Sequence, residues 1–134
     1  MTGREKPVTI VSMISNNEAV KGTEADLRVF ELQAEVCQTL ANPKRLRIVH
    51  LLKDGELSVA EIVSAMSIPK ANASQHLSIM RQKGLILSRR EGTSIYYRLS
   101  SPKITEACGL MREVLLTLLA GQEVLAKSIR AVKR

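Results

Sequence analysis

Along the chain, apolar positions first recur at three- and four-residue steps. Leu27, Phe30, Ala34, Cys37 and Ala41 fall on one side of a helix expected over 23–41, with Glu24, Glu31 and Glu35 elsewhere on the wheel. "ANPKRL" interrupts that pattern. Asn42 is suited to cap a new helix and Pro43 to its first turn. This second helix carries Leu46, Ile48, Val49 and Leu52 and stops at "KDGE". "SVAE" then has the form of a capping box, in which Ser58 and Glu61 satisfy each other's backbone donors. Ile62, Val63 and Met66 give the third helix its buried side. After "SIP" a fourth helix runs to about Lys83, where Gly84 ends it.

From Leu85 the period changes to that of strands. "LILSRREGTSIYYRL" is two β-rich runs around "REGTS", the pattern of a hairpin with a charged loop. "SSP" opens a last, broadly apolar helix over 102–131, carrying Ile104, Cys108, Met111, Leu115, Leu118, Leu119, Val124, Leu125 and Ile129. The expected fold is mainly α with a β-hairpin wing: a winged helix-turn-helix of about five helices. Residues 1–22, including "VTIVSMI" as a short strand or arm, are expected to form a flexible extension to a domain over 23–134.

The fourth helix has an unusual outer side. Ala73, Leu77 and Met80 lie within about a third of a turn of one another and face the core, whereas Asn72, Gln75, Ile79 and Gln82 point away, with His76 on the flank. Asn and Gln present a donor and an acceptor together, which is what an adenine edge requires. Charge reinforces this reading. The 134 residues carry a formal charge of +7, and between Lys70 and Arg98 there are six basic residues against one acidic residue, Glu91. Arg89 and Arg90, beside the hairpin tip, are placed to reach phosphates or an adjacent minor groove.

The landmarks "LANPKRLRI", "GELSVAEI", "SQHLSIMRQKGLI" and "RREGTSIYYRL", in this order and spacing, closely resemble the ArsR family of winged-helix repressors over about Val36 to Ser100. The resemblance implies a homodimer joined through its first and last helices, binding double-stranded DNA, with repression relieved by a ligand or a chemical change. It places Lys70, Ser74, Gln75 and His76 on DNA-contacting or helix-positioning places. With the face and charge readings, the candidate DNA-binding set is Lys70, Asn72, Ser74, Gln75, His76, Arg81, Arg89, Arg90 and Thr93. One departure is that the Ser-Gln pair usual at the start of the recognition helix is here Pro69-Lys70.

Metal sensing by the routes that the family uses is not expected. The thiolate motif ELCxC reads "ELSVA", so Ser58 and Ala60 replace both thiols. The places of the zinc and nickel ligands hold Ser101, Lys103, Val114 and Thr117, which cannot stand in for carboxylate and imidazole. His50 and His76 do not stand at ligand spacing from one another. No metal and no cofactor is expected. Two thiols remain, Cys37 and Cys108. They are either packed core residues or a sensor of oxidant, reactive sulfur species or arsenite. Members of the resembled family that sense persulfide or oxidants place their pair near His50 and Leu116 instead.

Nothing in the sequence recommends an enzyme: there is no carboxylate pair, Gly-rich phosphate loop or Cys-His pair. A protein-docking module without DNA binding stays open as an alternative. The N-terminus lacks the apolar region of a secretory signal, no apolar run is long enough for a bilayer, and two distant cysteines make no disulfide framework. A cytoplasmic protein with no membrane partner is expected.

Overall fold

The computed structural model describes residues 24–120 and 123–132, so the expected extension over 1–22 lies outside the described residues. The elements are α1 (Glu24–Leu40), α2 (Pro43–Leu51), β1 (Leu57–Ser58), α3 (Val59–Met66), α4 (Lys70–Gln82), β2 (Ile86–Glu91), β3 (Ser94–Leu99), α5 (Lys103–Leu119) and α6 (Glu123–Val132). A 3-10 turn, Leu52–Asp54, closes α2.

Local chemistry sets most of the boundaries. Asn42 is extended, at φ −154° and ψ 125°. Its Oδ1 accepts from the amides of Lys44 at 2.9 Å and Arg45 at 3.3 Å, and Pro43 follows where an N–H would have no helical partner. The capping box of α3 is complete: the Glu61 amide donates to Ser58 Oγ at 3.1 Å, and the Ser58 amide donates to Glu61 Oε1 at 2.8 Å. At the end of α4, Gly84 takes φ 79°. The amides of Leu85 and Gly84 then donate back to the Met80 and Arg81 carbonyls, each at 3.0 Å, which satisfies two of the last helical acceptors.

Residues 67–69 join α3 to α4, with Ser67 in the left-handed conformation at φ 54°. This is the helix-turn-helix. The wing is the β2–β3 hairpin, paired from Ile86 with Leu99 to Glu91 with Ser94. Its turn is tighter than the charged loop expected from "REGTS": only residues 92 and 93 lie between the strands, with Gly92 at φ 64°. A third strand, β1, adds to the far edge of β3 through Leu57 with Tyr97 and Ser58 with Tyr96, giving the antiparallel order β1-β3-β2.

One aliphatic core unites these parts. Ile48, Val49 and Leu52 of the α2 segment meet Ile62 and Met66 of α3, Leu77 and Met80 of α4, Leu85 and Ile86 at the root of the wing, and Ile104 of α5. Val36 and Leu40 of α1 pack against this cluster.

Two expectations are corrected. Leu46 is 41% exposed rather than part of the α2 core side. At about 100° per residue it lies roughly 60° outside the arc of Ile48, Val49 and Leu52. The last helix expected over 102–131 is described as two, α5 ending at Leu119 with Ala120 in a turn, and α6 beginning at Glu123. No expectation is overturned by the apolar stripe of α1, which lies away from the chain's own core: Leu27 is 63% and Phe30 56% exposed. Along α5, Leu110, Met111, Val114, Leu115 and Leu118 are likewise exposed and only Ile104 is buried. No helix among the described residues is long and apolar enough to cross a membrane.

Candidate functional site

Helix α4 is held from one side. Ala73, Leu77 and Met80 are fully buried, which fixes the rotation of the helix and turns Asn72 and Gln75 to solvent. Lys70, Ala71, Ser74 and Arg81 are exposed as well. Ile79, expected on this outer side, is half-buried. Pro69 stands at the N-cap and no side chain caps the helix, so the positive end of α4 lies beside the Lys70 ammonium. Amide side chains, small residues and cationic groups are thus all accessible along α4.

His76 sits on the flank of that face and is half-buried. Its Nδ1 accepts a hydrogen bond from Arg45 Nε at 3.1 Å, and Arg45 Nη1 donates to the Thr39 carbonyl at 3.1 Å. Because a guanidinium only donates, Nδ1 carries no proton and the neutral ring holds its proton on Nε2. Burial holds the imidazole below the ordinary histidine range, with the charges of Arg45 and Lys44 acting in the same direction.

On the wing, Arg89, Arg90 and Thr93 are all exposed, but they differ in their partners. Arg89 donates from Nε and Nη2 to the two Glu56 carboxylate oxygens at 2.8 and 2.7 Å, and from Nη1 to Glu91 Oε1 at 2.7 Å. Its guanidinium also lies 4.6 Å from the centre of the Tyr96 ring. The hydrogen bond from Arg89 draws the Glu56 carboxyl below its usual range, against a smaller effect of desolvation. The two carboxylates raise the guanidinium further still.

The structure thus groups Lys70, Asn72, Ser74, Gln75, His76 and Arg81 on α4, with Arg89, Arg90 and Thr93 on the hairpin. Sequence reasoning missed Arg45 and Glu56, the residues that hold His76 and Arg89. The "NPKRL" landmark contains Arg45, but its partner lies 31 positions away. The thiols are unlike each other. Cys37 is exposed; Cys108 is half-buried against the core. Burial pushes the Cys108 thiol up, and nearby Arg112 offsets this only in part. Among the described residues, no group of three or more His, Cys, Asp or Glu side chains could hold a metal ion.

Comparison with known proteins agrees with this geometry. Residues 42–88 match the family model described as bacterial regulatory protein, arsR family. The chain is 34% identical over 104 residues to the uncharacterized HTH-type transcriptional regulator Rv0081 of Mycobacterium tuberculosis, covering 77% of this chain and 91% of the relative. The crystal structure of Rv0081 superposes with a TM-score of 0.64 over 70% of this chain and 95% of the other, at 35% identity. The transcriptional activator HlyU of Vibrio cholerae is 31% identical over 99 residues, covering 71% of this chain and 92% of HlyU. The solution structure of the homodimeric winged helix-turn-helix DNA-binding domain Mb0332 of Mycobacterium bovis aligns with a TM-score of 0.63 at 32% identity, over 69% of this chain and 86% of the domain.

Proposed function

Because the chain belongs to the ArsR family of bacterial regulatory proteins, we propose that it is a dimeric transcriptional repressor that sets two copies of α4 into successive major grooves of duplex DNA. One observation carries this reading: burial of Ala73, Leu77 and Met80 leaves Asn72 and Gln75 outward on a surface flanked by Lys70 and Arg81. Asn72 and Gln75 read base edges, with Lys70 at the helix start. Ser74 and His76 orient the helix. Arg81, Thr93 and the basic wing supply phosphate contacts and a steep dependence on salt.

The exposed apolar stripes of α1 and α5 support a second copy as the partner that covers them. Two-fold pairing sets the half-sites about one helical turn, or roughly 34–36 Å, apart. Repression follows from occupying a promoter. The relative HlyU is named an activator, so the sign of regulation is part of the test. Release by oxidant, reactive sulfur species or arsenite at Cys37 and Cys108 is the narrower part of the proposal. Cys37 is exposed in the single chain but lies on the α1 stripe that the second copy covers, and the raised Cys108 thiol works against a reactive thiolate.

Fluorescence anisotropy with duplex DNA from the chain's own upstream region tests the core of this reading, alongside a reporter driven by that region. Tight, salt-sensitive binding and reporter silencing are expected. Reporter activation would leave the interface standing and reverse the regulatory sign. No binding at low salt would overturn DNA recognition and favour a protein-docking role for the same fold.

A further inference from the structure

The two adjacent wing arginines have opposite surroundings. Arg89 commits Nε and Nη2 to a two-pronged grip of Glu56, places Nη1 on Glu91 and stacks on Tyr96. Glu56 is the better shielded carboxylate, its side chain 28% exposed against 67% for Glu91. Isolated exposed ion pairs contribute little, but a bidentate fork within a network is the geometry in which they count. To meet a phosphate, Arg89 would have to give up three charge-assisted bonds. It would also leave two carboxylates facing the anionic backbone.

Arg90 lies on the other side of the sheet. Residues two apart on a strand share a face, so Arg90 aligns with Ser88 and with Ile86, which is buried against Leu77 and Met80 of α4. Arg90 therefore projects from the side of the wing on which α4 packs, past the edge of the core, opposite Ile95 and exposed. Among the described residues, none of the ion pairs includes Arg90.

We infer that Arg89 is a positioning residue that ties the wing to Glu56 in the loop after α2, and that Arg90 is the wing cation that meets phosphate. The second half of this inference rests on the DNA-binding reading. The first half does not.

Two measurements on the full chain test it. Anisotropy titrations between about 50 and 200 mM salt give the slope of log affinity against log salt. In Arg90→Ala that slope should fall by about 0.9 for each phosphate left without its cation, hence by nearly two for a dimer with two wings. Arg89→Ala and Arg89→Lys should keep the wild-type slope and bind severalfold more weakly, because lysine keeps the charge but not the fork. Hydrogen exchange, which needs no DNA, should speed up at the hairpin amides in Arg89→Ala, Arg89→Lys and Glu56→Gln but not in Arg90→Ala.

A lowered slope in Arg89→Ala with an unchanged one in Arg90→Ala would overturn the assignment. So would a gain in affinity in Glu56→Gln that disappears in Glu56→Gln/Arg89→Ala, since Glu56 would then be restraining a DNA-binding arginine. If Arg89→Lys exchanges and binds like wild type, the fork is not the strut. Absence of wild-type DNA binding would remove the role of Arg90, while unchanged exchange in Glu56→Gln would remove that of Arg89.

Discussion

Arg45 Nε donates to His76 Nδ1 at 3.1 Å, and the same guanidinium reaches the Thr39 carbonyl near the end of α1. A single side chain from α2 thereby connects the recognition helix to the helix that carries an exposed apolar stripe. The bond exists only while His76 is neutral, because a protonated Nδ1 cannot accept.

That requirement gives stability a pH dependence. The folded chain holds His76 below its ordinary value of 6.5, so the unfolded chain takes up the proton first as pH falls. The stabilisation is fully present above that value and is lost as pH falls through it toward the lower folded-state value. Thermal unfolding at fixed protein concentration, from about pH 7.5 to about pH 5.5, should show a larger drop in melting temperature for wild type than for His76→Asn. Parallel curves would refute a neutral, bonded His76.

Removing a helix cap should cost about 1 kcal/mol, with a range of roughly 0.5–2. Asn42→Ala and Ser58→Ala each orphan helical amides that now have side-chain acceptors. Urea unfolding should show lower midpoints with unchanged slopes. A slope change would point to a different native or unfolded state instead.

The apolar stripes predict a change in assembly without a change in fold. Phe30→Glu on α1 and Leu118→Glu on α5 alter side chains that are 56% and 72% exposed. Sedimentation equilibrium should find monomers with unchanged helical circular dichroism, and DNA affinity should drop by at least about tenfold as paired half-site binding is lost. Persisting dimers in both variants would move the interface elsewhere.

The two thiols should react at different rates. With a maleimide near neutral pH, and in the Phe30→Glu background that uncovers the α1 stripe, Cys108→Ser, which leaves Cys37, should be modified at least about tenfold faster than Cys37→Ser. Burial both hides Cys108 and raises its pKa. In urea the rates should converge. Equal rates in the folded state would mean that Cys108 is open to solvent.

Specificity should separate from electrostatics. Asn72→Ala and Gln75→Ala should each weaken the preferred sequence by about 1–3 kcal/mol relative to a mismatched one, with the salt slope preserved. Equal losses on all sequences would remove these two side chains from base reading.

Much of this fold is legible in short stretches because its boundaries are made by neighbours. Asn42 with Pro43, Ser58 with Glu61, and Gly84 after α4 act over a few residues, so the sequence order already contains the geometry. The burial of Ala73, Leu77 and Met80 follows from helical spacing in the same way. What spacing alone does not reveal is pairing at a distance. Strand β1 is two residues long and exists through Tyr96 and Tyr97, far along the chain. Glu56 and Arg89 are 33 positions apart, so Arg89 reads in sequence like a twin of Arg90. The stripes of α1 and α5 are amphipathic in sequence, and the resemblance assigns these helices to a dimer; which of their side chains stay exposed in the single chain is given by the fold.

Ser58 belongs to two elements at once: its backbone pairs with Tyr96 in the sheet, and its hydroxyl receives the Glu61 amide at the start of α3. No slack segment separates hairpin from helix, so a tilt of either drags the other. In the proposed dimer each half then behaves as one lever, and an incoming signal acts by changing how far two levers are spread rather than by loosening the tip of either.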